Sequence, residues 1–259
     1  MRNTRLIAKL DIKSPNLVKG VQFEGLRKLG KPNEFARKYY ENGIDEILYE
    51  DIVASLYERN SLLDIIERAS SNVFVPITVG GGLRSVEDVS AVLKAGADKV
   101  SINTAATKRP SLITEVANAF GSQCMVLSIQ AKSHGNQWEA YYDNGREHSH
   151  LDAVEWARRG EELGAGEILL TSVDRDGTGK GMDLELIKAV TDHVSIPVIA
   201  SGGVGELSDI QNAVALSNAD AVAMASVLHY EKFSINEVRK YAFDQGLPVR
   251  PWADSKVTT

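Results

Sequence analysis

The sequence predicts one closed α/β barrel, a (β/α)8 or TIM barrel built from two similar halves. Three observations carry that expectation. Short apolar runs alternate eight times with longer amphipathic stretches. The two halves of the chain repeat one another at an offset of about 120 residues. The length of 259 residues is close to the roughly 250 typical of such a barrel.

In chain order, strands are expected at residues 6–11, 46–51, 76–79, 99–102, 125–130, 167–172, 197–200 and 221–225. They are rich in Leu and β-branched residues and show little strict alternation, as strands covered on both sides do. Helical periods fall between them at residues 34–42, 62–71, 86–95, 111–120, 153–163, 184–194 and 208–216. The repeat aligns Glu41-Asn-Gly-Ile-Asp-Glu-Ile-Leu48 with Glu162-Leu-Gly-Ala-Gly-Glu-Ile-Leu169, and the run from Gly81 to Asp98 with that from Gly202 to Asp220. A four-strand unit alone has two open edges; two such units close one another. An open doubly wound sheet is the competing arrangement. One domain spans residues 1–259, with a hairpin expected at 134–146, where Gly135-Asn136 and Asp143-Asn144-Gly145 bracket Trp138 to Tyr142.

Composition narrows the function. A net charge of −6 offers no footprint for nucleic acid. No apolar run is long enough to span a membrane, and the start is broken by Lys9, Asp11 and Lys13, unlike a signal peptide. A single cysteine, Cys124, excludes an internal disulfide and suits the cytoplasm. The five histidines are scattered, so neither a metal nor another cofactor is expected.

Barrel chemistry sits at the C-terminal strand ends. Gly81 and Gly82 follow the third strand, and Gly202 and Gly203 follow Ser201 after the seventh. Glycines there let backbone N–H groups approach an anion ahead of a helix N-terminus. Asn103 and Thr104 after the fourth strand, and Ala225 and Ser226 after the eighth, add donors beside them. Two such clusters in symmetric positions imply two phosphate sites across one mouth, and so an elongated substrate with a phosphate at each end. Tight turns that merely need glycine are the plain alternative. Asp11, ending the first strand, could act as a general acid or base, or simply order a loop. Its mate in the repeat is Gln130, which cannot titrate. In the run from Asp174 to Thr178, Asp176-Gly177 could form a tight turn and Thr178 could donate to a phosphate.

From about Arg5 to Arg250 the chain resembles the cyclase (HisF-type) subunits of imidazole glycerol phosphate synthase. The resemblance rests on Val18-Lys19-Gly20, Val79-Gly80-Gly81-Gly82, the run from Ala97 to Ala106 with its Ser-Ile-Asn-Thr-Ala-Ala, Phe120-Gly121-Ser122-Gln123, the run from Gly166 to Ser172, Asp174-Arg175-Asp176-Gly177-Thr178 and Ile199-Ala200-Ser201-Gly202-Gly203. It implies a lyase of histidine biosynthesis. Such an enzyme joins ammonia to a bisphosphate ribulosyl aminoimidazole carboxamide nucleotide, giving imidazole glycerol phosphate and an aminoimidazole carboxamide ribotide. It implies heterodimerisation with a glutaminase at the opposite face of the barrel, an ammonia gate of Arg5, Glu46, Lys99 and Glu167, and an interface including Asp98 and Gln123. Lys19, in a mobile loop over residues 13–32, would close on the substrate, and Thr171 would line its site.

Several residues depart from the family pattern. The family has a second catalytic aspartate where this chain has Gln130, Cys where it has Lys9, Leu where it has Glu50 and Thr where it has Val53. Lys9 and Glu50 are expected to face the lumen. They would pair with each other; alternatively Glu50 replaces the missing carboxylate, or Lys9 lowers the pKa of Asp11. The departures also fit a paralogue that has lost cyclisation and channels ammonia to another acceptor enzyme, for instance in surface-polysaccharide amino-sugar synthesis.

Overall fold

The computed structural model of the chain describes residues 3–54, 62–135 and 137–251. Its strands are β1 (Arg5–Lys13), β2 (Asn16–Val21), β3 (Glu24–Gly30), β4 (Glu46–Asp51), β5 (Ile77–Gly80), β6 (Lys99–Ile102), β7 (Met125–His134), β8 (Gln137–Tyr142), β9 (Glu147–Asp152), β10 (Glu167–Ser172), β11 (Val198–Ser201) and β12 (Ala221–Met224). Parallel pairing runs β1-β4-β5-β6-β7-β10-β11-β12 and returns from β12 to β1, so eight strands close a (β/α)8 barrel. No edge is left in that ring.

The expected barrel strands all form, most within a residue of the expected bounds. The exceptions are β1 and β7, which run past Asp11 and Gln130 to Lys13 and His134. The reason lies in pairing: each overshoot is held by an antiparallel partner, β2 on β1 (Ile12 opposite Leu17) and β8 on β7 (Lys132 opposite Glu139). Residues 13–32, expected as a loop, thus form the hairpin β2–β3. The insertion after β7 gains a third strand, β9, that the expected hairpin omitted; Asn136 lies outside the described residues. Short helices Thr104–Lys108 and Ser226–His229 and the terminal helix Ile235–Asp244 also escaped the periodicity. Two helices of four or five residues are too short to show a 3.6-residue period.

The half-repeat reappears in individual bonds. Asp98 accepts from the Ile77 N–H at 2.8 Å, and Asp220 from the Val198 N–H at 3.0 Å. Asp88 accepts from the Arg84 N–H at 2.9 Å, and Asp209 from the Gly205 N–H at 2.8 Å. A shared set of strand starts and helix entries gives the two halves the same backbone at the mouth.

Two apolar layers result. The larger fills the space between strands and outer helices. A smaller one fills the lumen with Ile7, Leu48, Val126, Leu169, Ile199, Ala221 and Ala223. Above it, inward positions become polar: Lys9, Glu50, Ser101, Ser128, Gln130, Thr171 and Ser201 are all buried. Among the described residues, no helix is long and apolar enough to cross a membrane.

Candidate active site

The C-terminal ends of the strands form one mouth with two glycine cradles. Gly81 has φ +94°, and a Cβ there would lie 2.2 Å from the Asp51 carbonyl oxygen. Gly202 has φ +93°, and its Cβ would lie 2.7 Å from the Ser172 carbonyl oxygen. Both conformation and space demand glycine at these matched positions. The first cradle opens on a cavity of about 320 Å³ lined by Gly81, Gly82, Ser101, Asn103, Thr104, Glu50 and Gln130. The second, with Gly177, Ser201, Gly202, Gly203, Ala225 and Ser226, encloses only about 20 Å³, room for little more than one water.

Hairpin β2–β3 explains that asymmetry. Its tip residues Gln22 and Phe23 have φ of +51° and +63°, matching the primed turns that fit strand twist. Phe23 is buried, the Gln22 N–H donates to the Asp176 carbonyl at 2.8 Å, and the Gln22 side chain donates to the Asp174 carbonyl at 2.9 Å. Docked this way, the hairpin carries Lys19 into the lumen. Lys19 Nζ lies 2.8 Å from Asp176 Oδ2 and 3.1 Å from Asp11 Oδ2, covering the second cradle.

Asp11 also meets Lys9, with Nζ 3.3 Å from Oδ1. Burial works to raise the Asp11 carboxyl, but Lys19 and then Lys9 outweigh it and hold it down at about 2. Asp11 is therefore a carboxylate throughout the neutral range. Lys9 reaches Glu50 Oε2 only at 4.0 Å, so the pairing expected between those two is secondary to the Lys9–Asp11 pair. Burial pushes the Glu50 carboxyl above its ordinary range; Lys9 opposes the rise, and Asp11, Asp51 and Asp176 add to it. Gln130 faces the same cavity. Its Oε1 and the Ser101 hydroxyl, both buried, meet no hydrogen-bond partner among the described residues.

Other expected residues divide between lining and support. Thr171 is buried beside Gln130 in the strand register. The Asn103 amide is committed to the Ser128 and Tyr141 carbonyls at 3.0 Å each, and Thr104 Oγ1 accepts from the Asp143 N–H at 3.1 Å. Their side chains thus hold the β8–β9 tip, where Asn144 enters the cavity wall. Thr178 turns away from both cradles: its hydroxyl donates to the Arg175 carbonyl at 2.7 Å. Arg84, Lys108 and Arg109 also line the open cavity, and reading strand ends missed them. The dibasic pair Lys108-Arg109, one short helix beyond the fourth strand, was the available signal.

At the opposite end of the barrel, Arg5, Glu46, Lys99 and Glu167 close a ring. Arg5 Nη1 lies 2.7 Å from Glu46, and Arg5 Nη2 bonds Glu167. Lys99 Nζ lies 2.7 Å from Glu46 and 2.8 Å from Glu167. Thr78 donates to Glu46 at 2.8 Å. Burial would raise Glu46, but Lys99 and Arg5 outweigh it and lower the Glu46 carboxyl. Asp98 and Gln123 are exposed on this same face, and Asp98 borders a shallow groove with Phe74, which is 72% exposed.

Comparison with known proteins places relatives beside this geometry. The model of the family described as histidine biosynthesis protein matches residues 5–234. Imidazole glycerol phosphate synthase subunit HisF of Legionella pneumophila is 62% identical over 210 residues, covering 81% of this chain and 99% of that protein. The subunit of the same name from Dehalococcoides mccartyi is 50% identical over 250 residues, covering 96% of this chain and 99% of its own. That of Methanocaldococcus jannaschii is 46% identical over 270 residues, with the same coverage.

Proposed function

This chain belongs to the histidine biosynthesis protein family, among its HisF-type members, and from that membership we propose that it is the cyclase subunit of an imidazole glycerol phosphate synthase. One observation supports this most: the lumen leads from a four-charge ring, through an apolar layer, to Asp11 between two glycine cradles. The cradles suit a nucleotide with a phosphate at each end, one cradle standing open and the other released when Lys19 and its hairpin lift. Neutral ammonia crosses an apolar layer at far lower cost than ammonium. Ammonia thus enters at the ring and meets the substrate's carbonyl beside Asp11. The products are imidazole glycerol phosphate and an aminoimidazole carboxamide ribotide, and the setting is the cytoplasm.

The ammonia source is a glutaminase docked over the ring, on the face that carries Asp98, Gln123 and the exposed Phe74. Replacing Lys99 by Met leaves Glu46 and Glu167 facing one cation, Arg5. With the glutaminase present, glutamine-driven turnover of Lys99→Met should fall by about tenfold or more, equivalent to roughly 1.4 kcal/mol. The loss measured with ammonium salt should be smaller. Equal losses from both nitrogen sources would remove the ring from the ammonia path.

The purified chain, given the bisphosphate nucleotide and saturating ammonium salt, should form both products. Gln130 and the Lys9–Asp11 pair favour a second reading, in which cyclisation is lost and ammonia passes to another acceptor enzyme. Nucleotide binding without turnover would establish that reading and overturn the first.

A further inference from the structure

The open cavity holds a carboxyl group for which the family role of position 130 leaves no counterpart. β1 and β4 pair with Asp11 opposite Glu50, so the two acids are lateral neighbours on the lumen wall. Glu50 is only 7% exposed, yet it lines the same cavity as Gln130 and Gly81, and an added Cβ at Gly80 would lie 3.2 Å from its Oε1. Lys9 bridges the pair, 3.3 Å from Asp11 and 4.0 Å from Glu50.

Two buried lysines, Lys9 and Lys19, face more buried carboxyls than they can pair. Asp11 and Asp176 are in direct contact with Lys19. Glu50 is a further carboxyl against this set, facing Lys9 and Asp11 from β1, Asp51 on its own strand and Asp176 after β10. Arg84, Lys108 and Arg109 stand at the cavity rim, where an arriving phosphate would engage them. Two acids whose surroundings drive them apart, one held down by its lysines and one raised by burial, form an acid–base couple.

We propose that Glu50 is the proton donor of this site and Asp11 the proton acceptor, the pair replacing a couple between positions 11 and 130. The inference rests on the cyclase reading. As the ammonia nitrogen bonds to the ketone carbon of the ribulosyl unit, the C=O π pair moves to oxygen, which takes the Glu50 carboxyl proton. The nitrogen gives one proton to Asp11. A proton passing from Asp11 to Glu50, its neighbour in the register, restores both groups. Gln130, which can neither donate nor accept a proton here, serves as a hydrogen-bonding wall.

Ammonium-driven kcat and KM would be measured across pH for wild type, Glu50→Gln, Glu50→Asp and Glu50→Gln/Gln130→Asp, with thermal midpoints alongside. Glu50→Gln should lose ~10²–10⁴-fold in kcat, keep KM within about threefold and lose the alkaline limb that a required acid imposes. Glu50→Asp should lose less and retain that limb. The double variant should regain part of the rate. Wild-type inactivity would overturn the cyclase reading and the inference with it. An active wild type whose Glu50→Gln form stays within about threefold, or keeps an unchanged pH profile, would overturn the inference alone.

Discussion

Replacing Asp11 by Asn should lower ammonium-driven turnover by ~10²–10⁴-fold, the usual worth of a positioned acid–base group. Asn matches the shape of Asp and cannot accept a proton. The substitution also removes the anion shared by Lys9 and Lys19: Lys19 keeps Asp176 at 2.8 Å, and Lys9 keeps Glu50 at 4.0 Å, whose carboxyl can then ionise against it. The thermal midpoint should therefore move by only a few degrees while the rate collapses. Because Asp11 is held at about 2, it puts no step in the wild-type profile near neutrality, and any alkaline limb there belongs to another group. An Asn variant within about threefold of wild type would remove Asp11 from proton transfer.

The largest loss of stability should follow Arg239→Met. Arg239 is 2% exposed on the terminal helix Ile235–Asp244. Its Nη2 donates to Asp45 Oδ1 at 2.8 Å and to the Gly43 carbonyl at 2.7 Å, and its Nη1 to the Arg250 carbonyl at 3.1 Å. Asp45 in turn accepts from the Leu6 N–H at 2.9 Å, so one guanidinium ties the last helix to the start of β1. Met fills a similar volume and leaves those acceptors without their buried donor. Breaking such a buried pair costs about 3–5 kcal/mol, which for a chain of this size lowers the midpoint by roughly 6–20 °C. Arg250, half exposed, retains its own contact with Asp45 at 3.1 Å and softens the loss. A shift below about 2 °C would show the bridge to be dispensable.

The barrel, its twofold repeat and the placement of both cradles were legible in the chain. Strand periodicity and a recurring Gly-Gly at strand ends are local signals, and the matched φ values at Gly81 and Gly202 express the same signal in three dimensions. The four charges of the ring were identifiable only through the family resemblance; the structure sets each at the start of a strand.

Side-chain partnership was not legible. Sequence reasoning first paired Lys9 with Glu50, since unmatched buried charges call for one another, and gave Lys9 lowering the pKa of Asp11 only as an alternative. The lumen gives Lys9 a nearer anion, Asp11, two residues along its own strand on the same face. Hairpin β2–β3 was read as a loop because its strands gain their order from β1 and from the mouth. The approach of Lys19 to Asp176, 157 residues away, depends on that docking. Sequence by itself therefore determined the backbone frame and the residue types offered to the site, since periodicity, glycine placement and repeats act within a few residues. Only the tertiary structure decided which acid is lowered, which is raised, and which cradle is open. Those outcomes depend on burial and on distances of 3–4 Å between charges brought together by barrel closure.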